Sequence, residues 1–129
     1  MNNGHAAPMA TDILLVDDDP SGLAMLTLAL RRVGFSVEGC TNPNCALERL
    51  RQERFRWLVT DARMSHKDGF ALAQAAKELQ ADLRIVMISA LASDHDIDGR
   101  PIERVFAKPI PFEALVSWLR SPQEIHLQQ

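Results

Sequence analysis

Four short apolar runs each stop abruptly at a polar residue, and nothing else in the chain constrains its fold so strongly. Ile13-Leu14-Leu15-Val16 runs into Asp17-Asp18-Asp19, and Trp57-Leu58-Val59-Thr60 runs into Asp61. Ile85-Val86-Met87-Ile88 ends at Ser89, and Val105-Phe106-Ala107 ends at Lys108-Pro109. Helical periodicity fills much of the sequence between them. Strands alternating with helices predict an α/β fold with a doubly wound parallel sheet, because parallel strands need crossover connections and both faces need covering. Continuous apolar runs such as ILLV and IVMI suit strands buried on both sides. In such sheets ligands bind beyond the carboxyl ends of the strands, where the strand order reverses. Acids, one hydroxyl and one ammonium are therefore expected to converge on a single edge.

Taken in order, the first strand is expected over Asp12–Val16. Asp19 can cap a helix whose first turn accepts Pro20. That helix, Ser21–Val33, puts Leu23, Leu26, Leu30 and Val33 on one face and stops at Gly34. A strand over Phe35–Cys40 follows. Asn42-Pro43 then reads as a cap and first-turn proline for a helix running to about Arg54, with Ala46, Leu47 and Leu50 inward. The third strand, Arg56–Thr60, leads through the Asp61–Gly69 loop into a helix over Phe70–Leu79 that buries Leu72, Ala73, Ala76 and Leu79. Strands over Arg84–Ser89 and Arg104–Ala107 complete the sheet. Pro111 opens the last helix, with Phe112, Leu115, Val116 and Leu119 at helical spacing, ending near Ser121-Pro122. Leu91–Arg100 holds Asp94, Asp96, Asp98 and Gly99, so any helix there is short or irregular.

With 129 residues, 47% of them apolar, the chain is expected to be one globular domain. The expected division is a flexible tail over 1–10, the domain over 11–121 and a polar tail over 122–129. A net charge of −3 argues against non-specific nucleic-acid binding. No apolar run approaches the roughly 20 residues of a membrane span. Residues 1–10 lack the basic start and apolar core of a signal peptide. Cys40 and Cys45 match no zinc spacing and are too few for a disulfide framework, so two buried thiols in a reducing cytoplasm are expected. His5, His66, His95 and His126 are scattered without ligand spacing.

The chemistry follows from the strand ends. If Asp17, Asp18 and Asp61 are neighbours, carboxylates about 4 Å apart repel by roughly 4 kcal/mol at an effective dielectric near 20. A divalent cation relieves this, and oxygen donors favour Mg²⁺, Mn²⁺ or Ca²⁺. An aspartate beside the cation can attack a phosphoryl donor and form an acyl phosphate. Lys108 would neutralise the transferring group, and the Ser89 hydroxyl would hydrogen-bond one of its oxygens. Each residue alone has a plainer role. The acidic run can be a solvated cap, Asp61 a turn residue, and Lys-Pro a chance pair. What separates them from chance is their common position at the ends of successive strands.

Ile13-Leu14-Leu15-Val16-Asp17-Asp18-Asp19-Pro20, Asp61-x-x-Met64-x-x-x-Asp68-Gly69, Ile88-Ser89-Ala90 and Lys108-Pro109 together resemble the response-regulator receiver domain of bacterial two-component signalling, from about Asp12 to Arg120. The resemblance implies a flavodoxin-like receiver fold with sheet order 2-1-3-4-5 and five helices on the two faces. It makes Asp61 the phosphoacceptor, Ser89 the switch hydroxyl and Lys108 the phosphate-pairing ammonium, with a cis Lys108–Pro109 bond. It implies Mg²⁺ (or Mn²⁺) bound directly by Asp18, Asp61 and the backbone carbonyl of Arg63, and by Asp17 mainly through water. The phosphodonor would be a histidine kinase or an Hpt domain, the downstream target another protein, and the setting cytoplasmic. The only catalysis implied is of its own phosphorylation and dephosphorylation. Arg63 and Leu91, two residues past the acceptor and switch positions, are expected to limit water access to the phosphoryl group.

Three departures stand out: Ser65 replaces a common proline, Val105 replaces a common aromatic, and the segment from Ser89 to Lys108 is short. No output or DNA-binding domain is expected after Arg120. A relay intermediate passing phosphate to an Hpt protein stays open within the family. Outside it, the alternatives are a phosphorylation-independent pseudo-receiver and a metal-dependent phosphohydrolase. The latter usually carries a second acid where this chain has Arg63.

Overall fold

Every apolar run becomes a strand, and a fifth strand joins them at one edge. The computed structural model describes residues 10–64, 68–90 and 94–122. Its strands are β1 (Thr11–Val16), β2 (Val37–Cys40), β3 (Phe55–Asp61), β4 (Arg84–Ser89) and β5 (Arg104–Ala107). All pair in parallel in the order β2-β1-β3-β4-β5. Helices α1 (Pro20–Arg32), α2 (Pro43–Gln52), α3 (Gly69–Leu79) and α4 (Phe112–Arg120) lie between and after them.

Alternation along the strands divides the core in two. Leu14, Val16, Leu58, Ile85, Met87 and Val105 pack with Leu47 and Leu50 of α2 and Leu72 and Ala76 of α3. Ile13, Leu15, Trp57, Val59, Val86, Ile88 and Phe106 pack with Leu30 of α1 and Leu115 and Leu119 of α4. Burial on both faces explains the unbroken apolar runs. The Trp57 indole nitrogen also donates to the Leu119 carbonyl at 3.1 Å, tying the central strand to the last helix.

The helix starts follow the sequence. Asp19 accepts hydrogen bonds from the Ser21 and Gly22 amides, and Asn42 accepts from the Cys45 amide, each beside a first-turn proline. Several expectations need correction. β2 begins at Val37 rather than Phe35, whose ring instead packs with the α1–α4 side of the core. The second helix stops at Gln52, short of Arg54, because the Gln80 side chain takes the carbonyls of Leu50 and Glu53 at 2.9 and 2.7 Å. Leu79, expected inward, is 42% exposed at the end of α3.

Two larger corrections concern the family-derived helix count and the cysteines. Five helices were implied, but four are present among the described residues, and Asp94–Ile97 forms a single 3₁₀ turn. Its sequence offers one large apolar residue, Ile97, and Gly99 at φ +73° breaks any continuation. The two cysteines are not free thiols, since Cys40 and Cys45 are joined by a disulfide with Cα atoms 5.8 Å apart. The tight β2–α2 turn brings the last strand residue over the first helical turn, within disulfide reach. Counting cysteines addresses disulfide frameworks and is blind to one such local pair. Residues 1–9, 65–67, 91–93 and 123–129, including His5, Ser65, His66, Leu91 and His126, lie outside the described residues.

Candidate functional site

The parallel register delivers the polar residues to one edge. Val16 pairs with Thr60, so Asp17 and Asp61 follow side by side at the ends of β1 and β3. Asp61 pairs with Ile88, which places Ser89 at the adjoining end of β4. Ser89 pairs with Ala107, and Lys108 comes next, its amide donating to the Ser89 carbonyl at 3.0 Å. The edge lies where β1 and β3 send their chains to opposite faces, the position expected of a ligand site in this architecture.

Carboxylate oxygens of Asp17, Asp18 and Asp61 lie within 4.8 Å of one another. Lys108 Nζ donates to Asp61 Oδ2 at 3.1 Å, with Asp61 only 13% exposed and Lys108 38%. The Asp61 Oδ1 atom accepts from the Arg63 amide at 3.4 Å, while the Arg63 side chain is exposed. Ser89 is buried. The structure thus brings together Asp17, Asp18, Asp61 and Lys108, with the Arg63 backbone beside Asp61 and Ser89 buried at the adjoining strand end. Leu91 lies outside the described residues. The Lys108–Pro109 bond is cis, in keeping with the resemblance.

Electrostatics match this crowding. Burial pushes the Asp17 carboxyl above its ordinary value, opposed by a hydrogen bond from the Asp19 amide; Asp61 adds to the rise and Lys108 works against it. Burial alone would lower the Lys108 ammonium, but its hydrogen bond to Asp61 and the charges of Asp61, Asp17 and Asp18 outweigh it and raise the pKa. Three acids facing one cation leave negative charge in excess. Hard oxygen donors at this spacing fit a divalent cation of the Mg²⁺ type. The arrangement can hold such a cation and present a partly buried carboxylate oxygen to an electrophile.

Sequence reasoning missed how the chain between Asp61 and α3 is braced. Asp68 caps α3 by accepting from the Ala71 amide at 2.8 Å. The Gly69 amide donates to the Ala62 carbonyl at 2.7 Å, and a Cβ on Gly69 would fall 2.2 Å from the Asp61 carbonyl oxygen. Glycine is required there by close backbone approach, not by its φ angle. The Asp68-Gly69 pair ahead of an apolar helix was the available signal, and it shows the helix start without the packing.

A family model described as response regulator receiver domain matches residues 13–120. The response regulator receiver protein CpdR of Brucella abortus (strain 2308) is 37% identical over 108 residues, covering 81% of this chain and 90% of that protein. Other relatives are much longer, the match spanning 13% of the length in one case. Among solved structures, a CheY-like receiver domain protein from Methanospirillum hungatei JF-1 superposes with a TM-score of 0.80 at 22% identity, covering 87% of this chain and 92% of that one. The response regulator TrrA from Thermotoga maritima, in complex with Mg²⁺–BeF, gives 0.78 at 21% identity, covering 87% and 97%. At these identities the structures show the fold.

Proposed function

Given that the chain belongs to the response regulator receiver domain family of two-component signalling, we propose that it accepts a phosphoryl group on Asp61. The observation that carries this is the Asp61 carboxylate itself. It lies between the Lys108 ammonium, 3.1 Å away, and the carboxylates of Asp17 and Asp18. The donor is a phosphohistidine of a histidine kinase or Hpt domain. An Asp61 oxygen attacks phosphorus, the phosphorus–nitrogen bond breaks, and the imidazole leaves.

Lys108 moves from pairing Asp61 to pairing a phosphoryl oxygen, and Ser89 donates its hydroxyl to another. Asp17, Asp18, Asp61 and the Arg63 carbonyl would hold Mg²⁺, which would supply charge neutralisation at the phosphoryl oxygens when bound. Support for the metal comes from the hard-donor cluster here and from the Mg²⁺–BeF complex of the TrrA relative. Arg63, exposed beside the acceptor, limits water access to the acyl phosphate. The phosphorylated protein signals in the cytoplasm by changing a protein-binding surface, and its catalysis is confined to its own phosphorylation and dephosphorylation.

A phosphohydrolase would need an acid two residues past Asp61, where Arg63 stands. Among the described residues between β4 and β5 there is a 3₁₀ turn and no α-helix, which favours an unusual output surface, and with it the second reading of a phosphorylation-independent interaction domain. Beryllofluoride binding separates the two. The parent protein should bind BeF₃⁻ with one equivalent of Mg²⁺, and Asp61→Ala should bind none. Folded parent protein that ignores BeF₃⁻ would favour the interaction domain.

A further inference from the structure

The Cys40–Cys45 disulfide takes no part in the chemistry of the acidic cluster, yet it adjoins it. Cys40 is the last residue of β2, and its carbonyl accepts the Asp17 amide at 3.1 Å. That bond extends the β1–β2 ladder beyond the Val16–Cys40 pair to the first acid of the cluster. Cys45 sits in the first turn of α2, its own amide held by the Asn42 side chain at 2.8 Å. The crosslink therefore clamps the β2–α2 turn next to the backbone of Asp17, one of the three acids.

A purely structural staple explains this pair poorly. The stabilisation a disulfide gives grows with the length of the loop it closes, and this loop is only the turn from Cys40 to Cys45. The domain already has an apolar core on both sheet faces. The two sulfurs also differ in access, since Cys40 is buried and Cys45 half-buried. Cys45 is therefore the sulfur more open to an exchanging partner.

We propose that Cys40 and Cys45 form a reversible redox couple that sets the affinity of the acidic cluster for Mg²⁺, tight as the disulfide and weaker as the dithiol. This rests on the reading that Asp17, Asp18 and Asp61 hold that cation. On oxidation the Cys45 thiolate attacks a small-molecule disulfide such as glutathione disulfide and expels one thiolate. Cys40, losing its proton, then attacks the Cys45 sulfur and expels the second. The pair loses two electrons and two protons, and the glutathione disulfide becomes two thiols. Reduction by a thiol reverses both steps, beginning at the sulfur of the half-buried Cys45. In the dithiol the end of β2, a four-residue edge strand, frays. The Asp17 backbone must then be ordered at the moment the cation binds. A pair that opens and closes suits a reducing compartment, where disulfides are usually transient and redox-sensing.

The test compares the full chain after equilibration in oxidised and in reduced glutathione, with thiols counted by alkylation and mass. Mg²⁺ affinity is read by titration calorimetry, and exchange of the Asp17 amide by nuclear magnetic resonance. Reduction should expose both thiols, speed Asp17 amide exchange and weaken Mg²⁺ binding by about five- to thirtyfold, the range that ordering one residue's backbone implies. Cys45→Ser should bind Mg²⁺ with the weaker affinity in either buffer. Equal Mg²⁺ affinity in the two states of the parent protein, which needs no substitution, would overturn the proposal, as would a pair that stays reduced in oxidised glutathione. If neither state binds Mg²⁺, the metal assignment itself is wrong, an outcome distinct from equal binding, and the proposal falls with it.

Discussion

Asp17 is held where its charge is unwelcome, and the fold tolerates this for the sake of the cluster. Its carboxyl is raised chiefly by burial, so the folded state takes up a proton more readily than the unfolded chain. The penalty is therefore full above the folded pKa and vanishes below the unfolded value near 3.8. Without metal, Asp17→Asn should be more stable than the parent at neutral pH, with the advantage fading as pH falls toward that value. Urea unfolding in EDTA across the range checks this, and a variant less stable at neutral pH would mean the Asp19 amide bond dominates instead. Gly69 constrains Asp61 differently, since a Cβ there would fall 2.2 Å from the Asp61 carbonyl oxygen. Gly69→Ala should cost about 1–3 kcal/mol through backbone displacement. It should also slow phosphorylation of Asp61 by more than the lost stability explains, measured under conditions where the variant is folded. An unchanged rate would show that the close approach does not position the acceptor.

At the scale of elements, the ends opposite the site are fastened by one buried side chain. Gln80 closes α3, accepts the Phe55 amide at 3.1 Å and donates to the Leu50 and Glu53 carbonyls. Gln80→Leu should cost about 3 kcal/mol, because several buried backbone groups lose their partner together. Acceptor chemistry at the far edge of the sheet should survive where the protein is folded. Denaturant unfolding beside phosphorylation kinetics checks both halves. Nothing in the local sequence marks Gln80, because its partners lie 25 to 30 residues away. Asp19 and Asn42 were legible as caps, since a cap needs only the right side chain beside a helix start. Leu79 was not, because helical spacing alone does not say where the covering sheet ends. The Cys40–Cys45 link needed the shape of the turn. The 3₁₀ turn that stands among the described residues where the resemblance implied a fifth helix was half legible, in that the Asp-rich, glycine-broken segment predicted something short.

For the molecule as a whole, the strand ends carried the most information. Parallel register turns four separate sequence positions into one cluster, so Asp17, Asp61, Ser89 and Lys108 could be grouped before any coordinate was known. Strand alternation also separates two neighbouring side chains. Val105 packs on the α2–α3 side, and Phe106 packs on the opposite side among Leu115 and Leu119, as strand alternation expects. Position 105 therefore offers no aromatic that could turn toward Ser89. The central claim is that Asp61 takes the phosphoryl group, and intact mass tests it most directly. Protein incubated with acetyl phosphate and Mg²⁺ should gain a single phosphoryl group, absent without Mg²⁺ and absent in Asp61→Ala. A single phosphoryl group gained equally by Asp61→Ala would contradict it.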